Sequence, residues 1–175
     1  MNELTPILTD ATAAIKPEYF LLNIAGGDPV YRERIYCYEL YHQMRLRWPE
    51  GCPFWLNGEV DKSGHTLLAA LGADGRKPDL LVHQPGSMVG NYAILEVKSA
   101  GALNGGVDKD IDTLSLFRNN VGYRRSIYLI YGHVGDTRIH RLRRSATSAK
   151  RLALIEVWIH PAPGEPASHR FTLGE

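Results

Sequence analysis

The chain has 175 residues, 20 Lys and Arg against 19 Asp and Glu, and a net charge of +1. That length fits one domain, residues 1–175, which can bury about 70% of its extended surface and so needs neither disulfides nor a structural metal to fold. The balance excludes a uniformly polycationic or polyanionic protein, and apolar runs such as Leu152 to Ile159 contain charge and are too short for a membrane-spanning helix.

The N-terminal 29 residues are mixed in character. A helix is expected near Lys16 to Ile24, opened by Pro17 and ended by Gly26-Gly27-Asp28-Pro29. Asp10 and Lys16 interrupt any apolar run there, so no secretory signal is expected. Val30 to Trp48 is the strongest helical segment. Tyr31, Ile35, Tyr38, Tyr41 and Arg45 recur at spacings of three and four, as do Tyr36, Leu40 and Met44, until Pro49-Glu50-Gly51 stops them. Phe54 to Val60 reads as a strand, and Thr66 to Leu71 as a further one. Leu80 to His83 and Tyr92 to Lys98 read as strands separated by a Gly-rich loop. Asp108 to Asn119 reads as a helix with Ile111, Leu114 and Phe117 on one face. Strands are expected at Ser126 to Tyr131, Thr137 to Leu142 and Arg151 to His160. The core is expected over about residues 30–160. An N-terminal helix within 12–25 and a Pro-rich tail over 161–175 are expected at the periphery. Helices alternating with strands indicate an α/β domain. Several links are too short for crossovers, so its central sheet should be mixed and flanked by helices.

Cys37 and Cys52 have no CxxC spacing. A disulfide between them is one reading; reduced cysteines in a cytoplasmic protein, with Cys37 as a core residue, is the expected one.

The most informative stretch is Lys77-Pro78-Asp79 followed by Glu96-Val97-Lys98. Side chains alternate along a strand, so Ile94, Glu96 and Lys98 share one face while Leu95 and Val97 share the other. Charges on an enclosed strand face must be matched. A divalent cation would match Asp79 and Glu96, and Lys98 could then face a phosphate. Carboxylate oxygens suit a hard cation, Mg2+ or Mn2+, which retains waters able to attack phosphorus. Taken singly these residues have plainer readings: Pro-Asp is a common turn pair, and Glu and Lys two apart often decorate a solvated strand face.

These residues resemble the PD-(D/E)xK phosphodiesterase superfamily, with its restriction-endonuclease-like fold. The motif reads Pro78-Asp79, sixteen residues, then Glu96-Val97-Lys98, set in KPDLLVHQPG and NYAILEVKSA. The order of elements from about Val30 to Tyr131 is similar to the family's αβββαβ core. The resemblance implies a metal-dependent nuclease. Asp79 and Glu96 would bind the ion, Val97 would lend its backbone carbonyl, and Lys98 would position or activate water and stabilise charge. A Glu on the first helix often joins the set. Glu39, among Cys37, Tyr38, Leu40 and Tyr41, is the candidate chosen over Glu33, which lies between Arg32 and Arg34.

Further polar candidates are Glu59, Asp61, His65, Lys77, and Lys109 and Asp112 on the second helix; Asp108 and Asp110 read as favouring the helix dipole. Trp48, Trp55 and Trp158 read as packing residues. Between Arg118 and Arg151 there are nine Lys or Arg residues and one acidic residue, Asp136. Arg124, Arg125, Arg138, Arg141, Arg143 and Arg144 could there contact backbone phosphates, although a solvated basic face would look the same. Nucleic acid is therefore the expected partner, DNA before RNA, with a homodimer and a separate recognition protein expected by analogy, and no membrane. The alternative is an inactive nucleic-acid-binding or interaction protein on the same fold. GxxxxGK[ST], GxSxG and HExxH are absent.

Overall fold

The computed structural model describes residues 3–59, 66–73, 75–103, 105–149 and 151–175, with the backbone alone at 66 and 67. Six strands form one mixed sheet in sequence order: β1 (Trp55–Gly58), β2 (Leu80–His83), β3 (Asn91–Ser99), β4 (Arg125–Tyr131), β5 (Ile155–His160) and β6 (Ser168–Leu173). The first three are antiparallel, β3, β4 and β5 run parallel, and β6 returns antiparallel on β5.

Both faces of this sheet are covered. On one lie α1 (Leu4–Ala13), α2 (Pro17–Phe20) and α3 (Glu33–Leu46), whose Leu8, Phe20, Tyr36 and Leu40 pack with Val82, Leu95, Val97 and Leu129. On the other lie α4 (Thr66–Ala70), α5 (Val107–Leu116) and α6 (Asp136–Ser148), whose Leu68, Ile111, Leu114 and Leu142 pack with Leu81, Ile94, Tyr128 and Val157. Burial on both faces explains why β3 and β4 read as near-continuous apolar runs rather than clean alternations. A five-residue π turn, Phe117–Val121, closes α5 and buries Phe117 and Val121.

Several elements differ from the sequence expectation. Thr137 to Leu142 lies inside α6 rather than on a strand. A parallel β4–β5 link requires a crossover, and Leu142 and Ala146, four residues apart, supply its buried stripe. Thr66 to Ala70 is likewise helical, not extended. The tail is tied down, because β6 pairs with β5. At the other end, Leu4, Ile7, Leu8 and Ala11 follow helical spacing and are buried, so the N-terminal helix is α1, within the core, with only the single turn α2 after it. Thr12 joins the two ends. Its Oγ1 donates to Leu8 O at 2.8 Å and accepts from Ala167 N at 2.8 Å, fully buried.

Thr12→Val keeps the shape and leaves the Ala167 N–H without a partner. The variant is expected to lose about 1–3 kcal/mol, read from urea unfolding. An unchanged midpoint would contradict the tie between the ends.

Candidate functional site

The register of β2 on β3, Leu80 opposite Leu95, brings the residue preceding β2 beside Glu96. That residue is Asp79, and its Oδ2 accepts a 2.7 Å hydrogen bond from the Val97 backbone N–H. Glu96 shares a hydrogen bond with Asp79 through its own carboxyl group and is 8% exposed. On the other side, β4 places Tyr128 opposite Glu96 and Ile130 opposite Lys98. Glu96 and Lys98 share the face of Ile94, which looks toward α5.

Two helix starts converge on Lys98. From α5, Asp110 Oδ2 lies 3.3 Å from Lys98 Nζ and accepts the Tyr128 hydroxyl at 3.0 Å. From α3, Glu33 Oε2 lies 3.7 Å from Lys98 Nζ, while its Oε1 accepts from Ser99 N at 3.1 Å and Ser99 Oγ at 3.3 Å. Gly106, which precedes α5, has φ +77°, and a Cβ there would stand 3.3 Å from Lys98 Nζ. Glycine at that position supplies both the left-handed backbone and the room for the lysine.

Electrostatics follow from burial. Glu96 is pushed well above the usual carboxylate range, first by burial and then by the negative charges of Asp79 and Asp110. Asp79 is pushed up to about 6 by burial, offset in part by the Val97 N–H and the bond from Glu96. One proton in the hydrogen bond between Glu96 and Asp79 relieves the repulsion of the pair. Asp110 is also raised by burial, less so because Lys98 and the Tyr128 hydroxyl favour its ionised form. Burial opposes the charge on Lys98, but Asp110 and Glu33 outweigh it and the ammonium is held protonated. Four carboxyl groups thus surround one cation.

Asp79, Glu96, Val97 and Lys98 come together as their spacing led us to expect. Glu39 does not join them. It accepts from Gln43 Nε2 at 2.7 Å along its own helix, and the carboxylate of α3 that reaches β3 is Glu33. The face of α3 toward the site carries Glu33 and Cys37, four residues apart, and the Cys37 thiol is pushed up by burial and then by Asp79, Glu33 and Glu96. Glu39 stands about 200° around the helix from Cys37. That i, i+4 relation was the signal that could have selected Glu33.

Around the site, Glu59 pairs with Arg34 at 3.3 Å, whereas Asp61 and His65 fall outside the described residues. Lys77, Asp108, Lys109 and Asp112 are exposed, and it is Asp110 that turns inward from α5. Arg125 is withdrawn from the basic set. Its guanidinium grips Glu156 bidentately at 2.8 and 2.7 Å, and Trp158 Nε1 donates to the same carboxylate. Arg124 is exposed, as are Arg141, Arg143 and Arg144 on α6, where Arg143 lies 4.6 Å over the Phe171 ring. Trp158 is buried and Trp48 bonds Phe54 O, but Trp55 is 59% exposed rather than packed.

Among the described residues no three His, Cys, Asp or Glu side chains are grouped closely enough to hold a metal ion. None of their helices is long and apolar enough to cross a membrane. No family model matches the chain, and no curated protein or solved structure matches it either.

The buried acid pair sets a pH dependence. With the folded Asp79 at about 6 against an ordinary 3.8, the fold binds its proton more tightly than the unfolded chain. The contribution is full below about pH 4 and is lost as pH rises through 6. In metal-free buffer Asp79→Asn is expected to gain on the order of 2 kcal/mol over the parent at pH 8 and little at pH 4, measured by urea unfolding. A pH-independent difference would contradict the burial of this carboxylate.

Proposed function

We propose that the chain is a metal-dependent phosphodiester hydrolase of the PD-(D/E)xK type, with a restriction-endonuclease-like core, acting on nucleic acid and on DNA before RNA. The observation that carries this reading is the meeting of Asp79, Glu96 and Lys98 at the end of β3. The order α3, β1, β2, β3, α5, β4, with the short α4 inserted between β1 and β2, supports it.

The donor set suits Mg2+ or Mn2+ in kind, since it consists of carboxylate oxygens, but it is not a ready cage. Asp79 and Glu96 would hold the ion, with the Val97 carbonyl by the resemblance and waters completing the shell. When bound, the ion would supply an acidified water and polarise a phosphoryl oxygen. The chain's own residues divide the remaining work. Glu96 and Asp79 would release to solvent the proton they share when they hold the ion. Lys98, kept as an ammonium by Asp110 and Glu33, offers positive charge to a non-bridging phosphate oxygen; in this arrangement it is a stabiliser of charge and not the base. Tyr128 fixes Asp110, and Ser99 fixes Glu33. Arg124, Arg141, Arg143 and Arg144 offer phosphate contacts that give affinity without sequence reading. A homodimer or a recognition partner would supply specificity.

The second reading is an inactive nucleic-acid-binding or interaction protein on the same fold. Two observations favour it: no ready metal cluster exists among the described residues, and Lys98 is already engaged by two carboxylates.

The test is cleavage of labelled single-stranded, duplex, branched and RNA substrates with Mg2+, Mn2+ or EDTA. Metal-dependent products are expected, reduced by about 100-fold or more in Asp79→Ala and Lys98→Ala, about tenfold in Glu33→Gln, and less than about twofold in Glu39→Gln. Salt-dependent binding with no turnover in any metal would overturn hydrolysis and leave the second reading.

A further inference from the structure

A cavity of about 370 Å3 lies against α5, between the turn that follows α4 and the segment that precedes β5. Asp112, Ser115, Leu116 and Asn119, spaced by three and four, give it one wall. Gly72 and Arg76 give it a second, and Arg151 a third. The π turn after α5 ties these walls together. Its consecutive residues Asn119 and Asn120 donate through Nδ2 to Arg151 O at 3.0 Å and to Leu71 O at 3.3 Å. Helical turns of this kind are frequent at functional sites.

Two donors of this cavity lack acceptors. Ser115 is 5% exposed, and its Oγ accepts from Ala153 N at 3.2 Å. Its hydroxyl hydrogen meets no acceptor among the described residues. A buried O–H left in that state costs free energy, which an acceptor in the cavity recovers. Arg76 is half-buried, and its guanidinium makes a single bond, from Nη1 to Thr113 Oγ1 at 3.3 Å. It forms no ion pair among the described residues, so most of its five N–H donors are unused. Arg151 brings a second guanidinium, and Asp112 the one carboxylate among the described lining residues, which leaves an excess of positive charge.

We infer that this cavity is a phosphate-binding subsite, in which Arg76, Arg151 and the Ser115 hydroxyl hold one phosphate group. The unsatisfied groups are donors, so the ligand must accept. A phosphate accepts at every oxygen and meets a guanidinium with two parallel bonds. A neutral acceptor would leave the excess charge unmatched, and a cation would be repelled by it. The subsite adjoins the charged cluster through α5. Thr113 follows Asp110 by three residues, so the two stand on one helix face, Asp110 holding Lys98 and Thr113 holding Arg76. Arg76 also precedes Asp79 by three residues, a span of at most about 11 Å. A second phosphate beside a scissile one at Lys98 is the role this placement gives the subsite. That role rests on the hydrolase reading; phosphate binding in the cavity does not.

Titration of the full chain with inorganic phosphate, at low salt in EDTA and followed by amide NMR, tests the subsite without any turnover. Saturable binding in the millimolar range is expected, with shifts at Leu116, Asn119 and Arg151. Arg76→Gln, shown to be folded by thermal unfolding, is expected to weaken it about tenfold or more. Asp112 is exposed, and Asp112→Asn removes a repelling charge, so it is expected to tighten binding about threefold. Lys98→Ala is expected to leave it unchanged. Short single strands with and without a terminal phosphate identify the source. Arg76-dependent binding of both assigns the subsite to a backbone phosphate, and of the first alone to a strand end. Absence of saturable phosphate binding, binding indifferent to Arg76→Gln, binding weakened by Asp112→Asn, or binding lost in Lys98→Ala overturns the inference. Phosphate binding lost in Arg76→Gln and kept in Lys98→Ala, in a protein that cleaves nothing with Mg2+, upholds the subsite while the hydrolase reading fails.

Discussion

Parallel pairing of β3 with β4 and of β4 with β5 is the constraint on which the rest of this architecture depends. Parallel neighbours cannot be joined by a tight turn, so each pair requires a crossover, and α5 and α6 are those crossovers. These helices cover one face of the sheet and α1 to α3 cover the other, so the central strands are apolar on both sides. They also begin where the strands end. The first turn of α5 thereby brings Asp110 over the end of β3, and α3, crossing the opposite face, brings Glu33 to the same edge. Ligands in open α/β sheets gather outside the carboxyl ends of the strands, and the charged groups of this chain gather there too.

The cluster at that edge is a balance of burial against pairing. Two carboxyl groups as enclosed as Asp79 and Glu96 cannot both ionise, and they share one proton. Lys98 is held by two further carboxylates, so its positive charge persists despite burial. An excess of acidic groups around one ammonium destabilises the fold as they ionise. Residues that a sheet needs only for stability would be apolar at these positions, as their neighbours Leu95 and Ile130 are. The proposed hydrolase reading draws on this retained charge.

Much of this was legible in the sequence, and the failures have physical causes. The alternation around Glu96 and Lys98 places both on one strand face, and Asp79 stands just before the strand expected at Leu80 to His83. Arg32 and Arg34 flank Glu33 and give it the pattern of a solvated charge cluster, whereas its helical partner Cys37 carries the opposite information. Asp110 looked like a residue that favours the helix dipole, and it is one, but only tertiary contact reveals that it also meets Lys98 and Tyr128. The segment Thr137 to Leu142 is too short to show its period by itself; with Ala146 added, Ile139 and Leu142 follow helical spacing of three and four, and the parallel β4–β5 link requires that crossover. The strand β6 follows a Pro-rich stretch and is only half buried, so its local pattern is weak; pairing with β5 defines it.

On the proposed hydrolase reading, a divalent cation and a proton compete for Asp79 and Glu96. Calorimetric titration of Mn2+ into the protein at pH 7, repeated in buffers of different ionisation enthalpy, counts protons released on binding. Saturable binding with release of about one proton is expected, and loss of that release in Asp79→Asn and in Glu96→Gln. Binding without proton release, or no binding by the folded protein, would contradict it.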